Sequence, residues 1–326
     1  MKLNSFPALA FDALSPPERE RVSPCTVHFS RQRGFTLVEM ILVIVITGIL
    51  GAIVAIFIRA PVQGYVDSAR RAEMTDIADT ALRRITRDVR LALPNSVRIT
   101  GSCTPGNTCY LEYLETVAGG RYRSNDCFSA GGCTQAVTLN DLVSAGGLLT
   151  NGQNPVGMRF AVYNQYNNSA SDCSPSNPSA YCAIANGGAP TITAVANATP
   201  IATEDTVSFA STTFLPAGGS PNNRFEIVSQ PVTYACTPVV GGGAAGTLRR
   251  YWGYAIQAVQ PNSTVAVPLS AASNALLASN VSACSFTYNT GAVASQRNGL
   301  VSAQLTITES GESVTLYNAT HVSNVP

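Results

Sequence analysis

Residues 35–58 read FTLVEMILVIVITGILGAIVAIFI, an apolar run interrupted by a single charge, Glu39. Wound as an α-helix at about 1.5 Å per residue it spans about 36 Å, enough to cross a bilayer. Arg31 and Arg33 precede the run and Arg59 follows it. Basic residues on the leading side favour a cytoplasmic N-terminus, which puts the rest of the chain on the outer side. A cleavable export signal needs a shorter apolar stretch of about 7–15 residues with a small-residue cleavage site behind it. Here the run ends in Arg59-Ala60-Pro61. A plain membrane anchor accounts for the length and the flanking charges, but not for Glu39. A carboxylate in a membrane segment costs up to about 2.5–3.5 kcal/mol at the centre and less near an end, and such residues usually mark a contact with a partner.

Downstream the pattern changes within the same helix. Pro61 removes a backbone donor and Gly64 softens the next turn, so a kink is expected there. From Val66 to Leu93, Ile77, Ala81, Ile85 and Val89 recur every four residues with Ala78 and Leu82 beside them. This is one apolar stripe. Asp76, Asp79, Arg83, Arg84, Arg87, Asp88 and Arg90 are assigned mostly to the other, solvated faces, with Asp79 and Arg83 in the favourable i,i+4 order. Pro94-Asn95 is the expected stop.

From Ser96 onward short alternating runs separated by Gly, Pro, Asn and Ser predict β structure. The clearest pair is the last. Val301, Ala303, Leu305 and Ile307 face one way, and after Ser310-Gly311, Val314 and Leu316 answer them. Further strands are expected over Met158–Tyr163, Phe225–Ala235, Leu248–Ala258 and Ser282–Tyr288. Residues 164–200 and 215–223 are expected as loops, and Gly241–Gly246 as a flexible connection, since it lacks the Lys-Ser/Thr of a phosphate loop. The fold class is therefore α+β: a long N-terminal helix, half transmembrane and half amphipathic, packed on an antiparallel β-rich domain with disulfides. The expected organisation is a leader over 1–34, a transmembrane helix over 35–58, an amphipathic helix over 59–93 and a β-rich head domain over 94–326.

Nine cysteines are present. Cys25 precedes the apolar run; Cys103, Cys109, Cys127, Cys133, Cys173, Cys182, Cys236 and Cys284 form an even set on the outer side. That pattern reads as disulfides. A metal site is disfavoured because there is no C-x-x-C and only His321 remains beyond the run. Eight cysteines allow about a hundred connectivities. Proximity in sequence suggests Cys103–Cys109, Cys127–Cys133, Cys173–Cys182 and Cys236–Cys284.

Only 12% of residues are charged, against roughly 25% in an average soluble domain. The net charge is +1. From Pro94 onward eight arginines meet ten acids, with no basic stripe interleaved with aromatics, so nucleic acid is not an expected partner. Arg249-Arg250-Tyr251-Trp252 is the one cationic–aromatic cluster and is read as a strand with packed stems. Neither H-E-x-x-H nor G-x-S-x-G occurs, so neither catalysis nor a cofactor is expected.

Arg33-Gly34-Phe35-Thr36-Leu37-Val38-Glu39-Met40, followed by apolar or small residues through Ile53, resembles the cleavage and methylation motif of type IV prepilins. The resemblance implies that a prepilin peptidase cuts after Gly34, where only a very small side chain is accepted. Phe35 would then become the methylated N-terminus. Glu39 would neutralise the terminal amine of a neighbouring subunit, and a buried pair of that kind also fixes register. Thr47, Gly51 and Ala55 have the small-xxx-small spacing of close helix packing. The implied location is the inner membrane, single-pass, with the head in the periplasm and later in a filament or at its tip. The implied partners are the processing enzyme, other major and minor pilins and the membrane. Residues 1–34 are unusual for such leaders, with Pro7, Pro16, Pro17 and Pro24. Initiation at Val27 would leave the leader VHFSRQRG and remove Cys25.

A narrower likeness is to MshO-type minor pilins of the mannose-sensitive haemagglutinin pilus. It rests on FIRAPVQGY (57–65), residues 68–98, the PVTYAC and TLRRYWGY region (231–254) and the ending HVSNVP (321–326). If it holds, the protein helps to initiate pilus assembly. A type II secretion pseudopilin shares the cleavage motif, the anchor helix and a β-rich head. A tip adhesin, with contacts through the Asn/Ser-rich residues 164–188, is the other alternative.

Overall fold

The computed structural model describes residues 34–122, 137–140, 154–166, 173, 174, 177, 179–183, 188–197, 204–209, 214, 220–241, 245–289 and 298–325. The chain divides into two units, Met1–Pro61 and Val62–Pro326.

Helix α1, Leu37–Val89, continues through Pro61 without interruption. In the first unit its side chains are exposed all round: an 18-residue window of mean hydropathy 3.1 has none of its residues buried. Such a segment is consistent with a membrane span, because exposing so much apolar surface to water is costly in proportion to its area.

In the second unit Met74, Ala78, Ala81, Leu82, Ile85 and Val89 are buried, and the expected stripe meets a sheet. Leu91–Leu93, expected as helix, instead runs beside that sheet. Leu93 N–H donates to Leu114 O at 2.8 Å, Thr116 N–H donates to Leu91 O at 2.8 Å, and Ala92 forms a bridge to Glu115. The helix ends when the chain exchanges its own carbonyls for those of the strand.

That sheet has nine strands: β1 (Arg98–Gly101), β2 (Cys109–Tyr122), β3 (Val137–Asn140), β4 (Arg159–Ala161), β5 (Ile192–Asn197), β6 (Glu204–Phe209), β7 (Arg224–Thr237), β8 (Thr247–Trp252) and β9 (Ser273–Ala278). Its order is β5-β6-β3-β2-β7-β8-β9, with β1 on β2 and β4 on β7, all antiparallel. A second sheet joins β10 (Val281–Asn289), β11 (Asn298–Glu309) and β12 (Glu312–Ser323). The final hairpin has the expected register: Leu305 opposes Leu316 and Ile307 opposes Val314. Its turn places Ser310 at φ 49° and Gly311 at φ 85°, the left-handed pair that a tight hairpin requires.

Several expectations need correction. Residues 192–197 are strand, not loop, because β6 pairs with them. β8 stops at Trp252 rather than continuing to Ala258, since Gly253 turns the chain at φ 80°. Gly246 is not a loose linker residue. A Cβ there would lie 1.9 Å from Val281 O, and its carbonyl accepts Val281 N–H at 3.1 Å.

The core formed by the α1 stripe, the centre of the large sheet and the inner face of β10–β12 is continuous. The bond between Cys236 on β7 and Cys284 on β10 joins the two sheets covalently. Cys103–Cys109 closes the connection from β1 to β2, and Cys173 is bonded to Cys182. Cys127 and Cys133 lie outside the described residues.

Candidate functional site

The sequence motif falls at the start of α1. Thr36 is the residue that caps the helix: its Oγ1 accepts Glu39 N–H at 3.3 Å, and its carbonyl accepts Met40 N–H at 3.1 Å. T-x-x-E is the capping-box pattern, with the acid in the first turn, where the free N–H groups favour negative charge. The four residues TLVE carry that signal on their own, and the reading of Glu39 as a pure partner contact overlooks it. Of the box, the described residues show the Thr36 half, with the Glu39 side chain left at the first-turn position that the helix dipole favours for an acid.

Gly34 and Phe35 precede the helix and are exposed, Phe35 at 83%. A Cβ built at Gly34 meets nothing within 4 Å, and its backbone is not in the left-handed region. Among the described residues, nothing requires glycine at 34.

The polar groups of the apolar half differ in how they are satisfied. Thr47 hydroxyl bonds its own helix, to Val43 O at 2.7 Å and Ile44 O at 3.1 Å. Among the described residues, no hydrogen bond or ion pair within the chain holds the Glu39 carboxylate. Gly48 and Gly51 also have open space around them.

Residues 29–55 match the family model described as the prokaryotic N-terminal methylation motif. The chain matches no curated protein and no solved structure. The motif is a prepilin-type signal; it supports a type IV pilin-like or pseudopilin protein and implies processing by a prepilin peptidase and association with pilins and the membrane. One N-terminal apolar helix is consistent with a single-pass anchor.

The second unit holds polar clusters that the sequence did not disclose. Asp88, placed by periodicity on the solvated face of α1, is only 5% exposed. Its Oδ2 accepts Arg250 Nε at 2.8 Å, Arg84 Nε at 3.0 Å and the Tyr234 hydroxyl at 2.8 Å. Arg250 is thus a buried partner of the helix rather than a packed stem. Burial pushes the Tyr234 phenol up, and Asp88 pushes it further, so it stays a donor. In a second cluster, Arg98 Nη2 donates to Glu112 Oε1 at 2.6 Å, and Tyr254 and Thr233 hydroxyls meet Oε2 at 3.2 Å. The Arg98 guanidinium lies 3.6 Å from the Tyr181 ring centre. Both clusters are fully partnered cross-links between elements, the form in which buried charge is tolerated.

Proposed function

We infer that this chain is a minor type IV pilin, cut between Gly34 and Phe35, N-methylated at Phe35, and used in initiating an MSHA-type pilus. The observation that carries the reading is the combination at the head of α1: a glycine that the described residues leave in open space, followed by a capped apolar helix whose first-turn acid has no partner among those residues. A peptidase pocket supplies the missing reason for Gly34. In an apolar bundle, the α-ammonium of Phe35 on one subunit pairs with Glu39 of the next, and neither charge is then stranded. The β-rich second unit, crossed by disulfides, belongs on the oxidising side of the membrane. The MSHA assignment is supported by the likeness over 57–65, 68–98, 231–254 and 321–326.

The chemistry is tested by co-expression with a prepilin peptidase and mass analysis of the N-terminal peptide. A methylated peptide starting at Phe35 is the expected product, and Gly34→Val is expected to abolish it. The biological role is tested by counting surface filaments by electron microscopy after deletion and restoration of the gene. Loss of filaments while the principal pilin still accumulates in the membrane supports the initiating role. Unchanged filament numbers overturn it and transfer the same processed subunit to a secretion pseudopilus.

A further inference from the structure

We propose that Cys103–Cys109 is a thiol-exchange site, at which a low-molecular-weight thiol opens the bond and the exchange passes inward to the Cys236–Cys284 bridge. Two disulfides meet at one end of the core. The Sγ atoms of Cys103, Cys109 and Cys284 all lie within 4.8 Å of one another, and Cys284 carries Cys236. Cys109 on β2 stands directly opposite Cys236 on β7 in the register, and its sulfur lies 3.7 Å from the Cys236 carbonyl oxygen. The four sulfurs differ in access. Cys103 is half-buried and is flanked by the exposed residues Ser102 and Thr104, whereas Cys109, Cys236 and Cys284 are buried. A dissolved thiol therefore enters at Cys103, since access decides which sulfur is attacked.

The external thiolate attacks Cys103 Sγ. A bond forms between the two sulfurs, the Cys103–Cys109 bond breaks, and Cys109 leaves as the thiolate. That thiolate attacks Cys284 Sγ. Cys109–Cys284 forms, Cys236–Cys284 breaks, and Cys236 leaves with the electron pair and takes up a proton. A second external thiol attacks the external sulfur of the mixed disulfide and frees Cys103, which takes up the other proton. Two thiols are thereby oxidised to one external disulfide, and the protein, reduced by two electrons, keeps one bond, Cys109–Cys284. Contacts that do not involve sulfur hold Cys109 in place meanwhile. Ser102 N–H donates to Thr108 O at 3.3 Å, Gly106 N–H donates to Pro238 O at 2.9 Å, and the Thr108 and Thr237 hydroxyls meet at 2.7 Å. Cys109 and Cys236 both belong to the large sheet, so the new bond still ties that sheet to β10, and only the closure of the 103–109 loop is released. The proposal concerns the second unit alone and does not rest on the pilin reading.

The test treats the full chain in detergent micelles with limiting reduced glutathione, quenches with N-ethylmaleimide and maps the cysteines by mass spectrometry without further reduction. Peptides joined through Cys109–Cys284, with Cys236 alkylated, are the expected product. Alkylation confined to Cys103 and Cys109, with Cys236–Cys284 intact, overturns the proposal, as does no reaction of either bond. A rate comparison separates relay from direct attack. In the variant Cys103→Ser/Cys109→Ser, Cys236 should become open to alkylation about tenfold more slowly than in the parent, because only the buried bridge remains to be attacked. Equal rates overturn the relay. Cys103→Ser alone leaves Cys109 as a thiol beside Cys284, so a fraction should hold Cys109–Cys284 with Cys236 alkylated even without glutathione. A Cys236 that is never alkylated in this variant overturns the proposal. Urea unfolding followed by Trp252 fluorescence shows that each variant is folded, and the parent experiment decides without them.

Discussion

Two acids on one helix have opposite fates. Glu39, in the first turn of α1, is exposed and has no partner among the described residues, while Asp88, near the end of the same helix, is 5% exposed and held by Arg84, Arg250 and Tyr234. Arg250 lies 162 residues away in sequence. The comparison separates two ways of placing a charge: Asp88 finds its counter-charge by folding, whereas Glu39 has none among the described residues. The surroundings differ in the same way. The residues around Glu39 are apolar on every side of the helix, and those around Asp88 on one stripe only.

The sharpest way to break this comparison is to remove the folded partner. Asp88→Ala leaves Arg250 buried without its anion and should destabilise the second unit by about 3–5 kcal/mol. Urea unfolding followed by the fluorescence of Trp252, the single tryptophan, reads it directly. Loss of less than about 1 kcal/mol would show that Arg250 is solvated in place.

A third acid gives an effect of opposite sign. Glu226 is 8% exposed, and its Oε2 is buried with no hydrogen-bond partner among the described residues. Burial pushes its carboxyl up from 4.5 to about 7, with Arg224 offsetting only part of the shift. The folded state therefore holds this proton more tightly than the unfolded chain. The stability this contributes is full below about 4.5 and is lost as pH rises through about 7. Glu226→Gln should then gain about 3 kcal/mol over the parent at pH 8 and little at pH 4, in paired urea titrations.

A smaller effect tests the neutral member of the Asp88 cluster. Tyr234→Phe removes one hydrogen bond to a charged acceptor while keeping the ring, and should cost about 2 kcal/mol in the same Trp252 measurement. Smallest is the effect of Glu39→Ala on that midpoint: no shift is expected, because nothing in the second unit depends on Glu39. The same variant should nonetheless reduce filament number in the deletion strain. A stability change without a filament change would reverse the roles assigned to the two acids.

The sequence alone located α1, its change from an all-apolar to a one-sided pattern, the motif at its start, and the last hairpin with its register. These are local properties. Periods of 3.6 and 2 residues and a left-handed turn at Ser310-Gly311 are written in neighbouring residues. It missed β2, the longest strand together with β7, because Cys109–Leu114 is buried on both faces and so shows no alternation. Within that stretch Glu112 is completely buried and bonded by Arg98, Tyr254 and Thr233. Asp88, which periodicity places toward solvent, is buried in the same way. Periodicity tells which face of an element is apolar, but the counter-charge that lets an acid enter the core lies far along the chain, and only the tertiary structure brings it there.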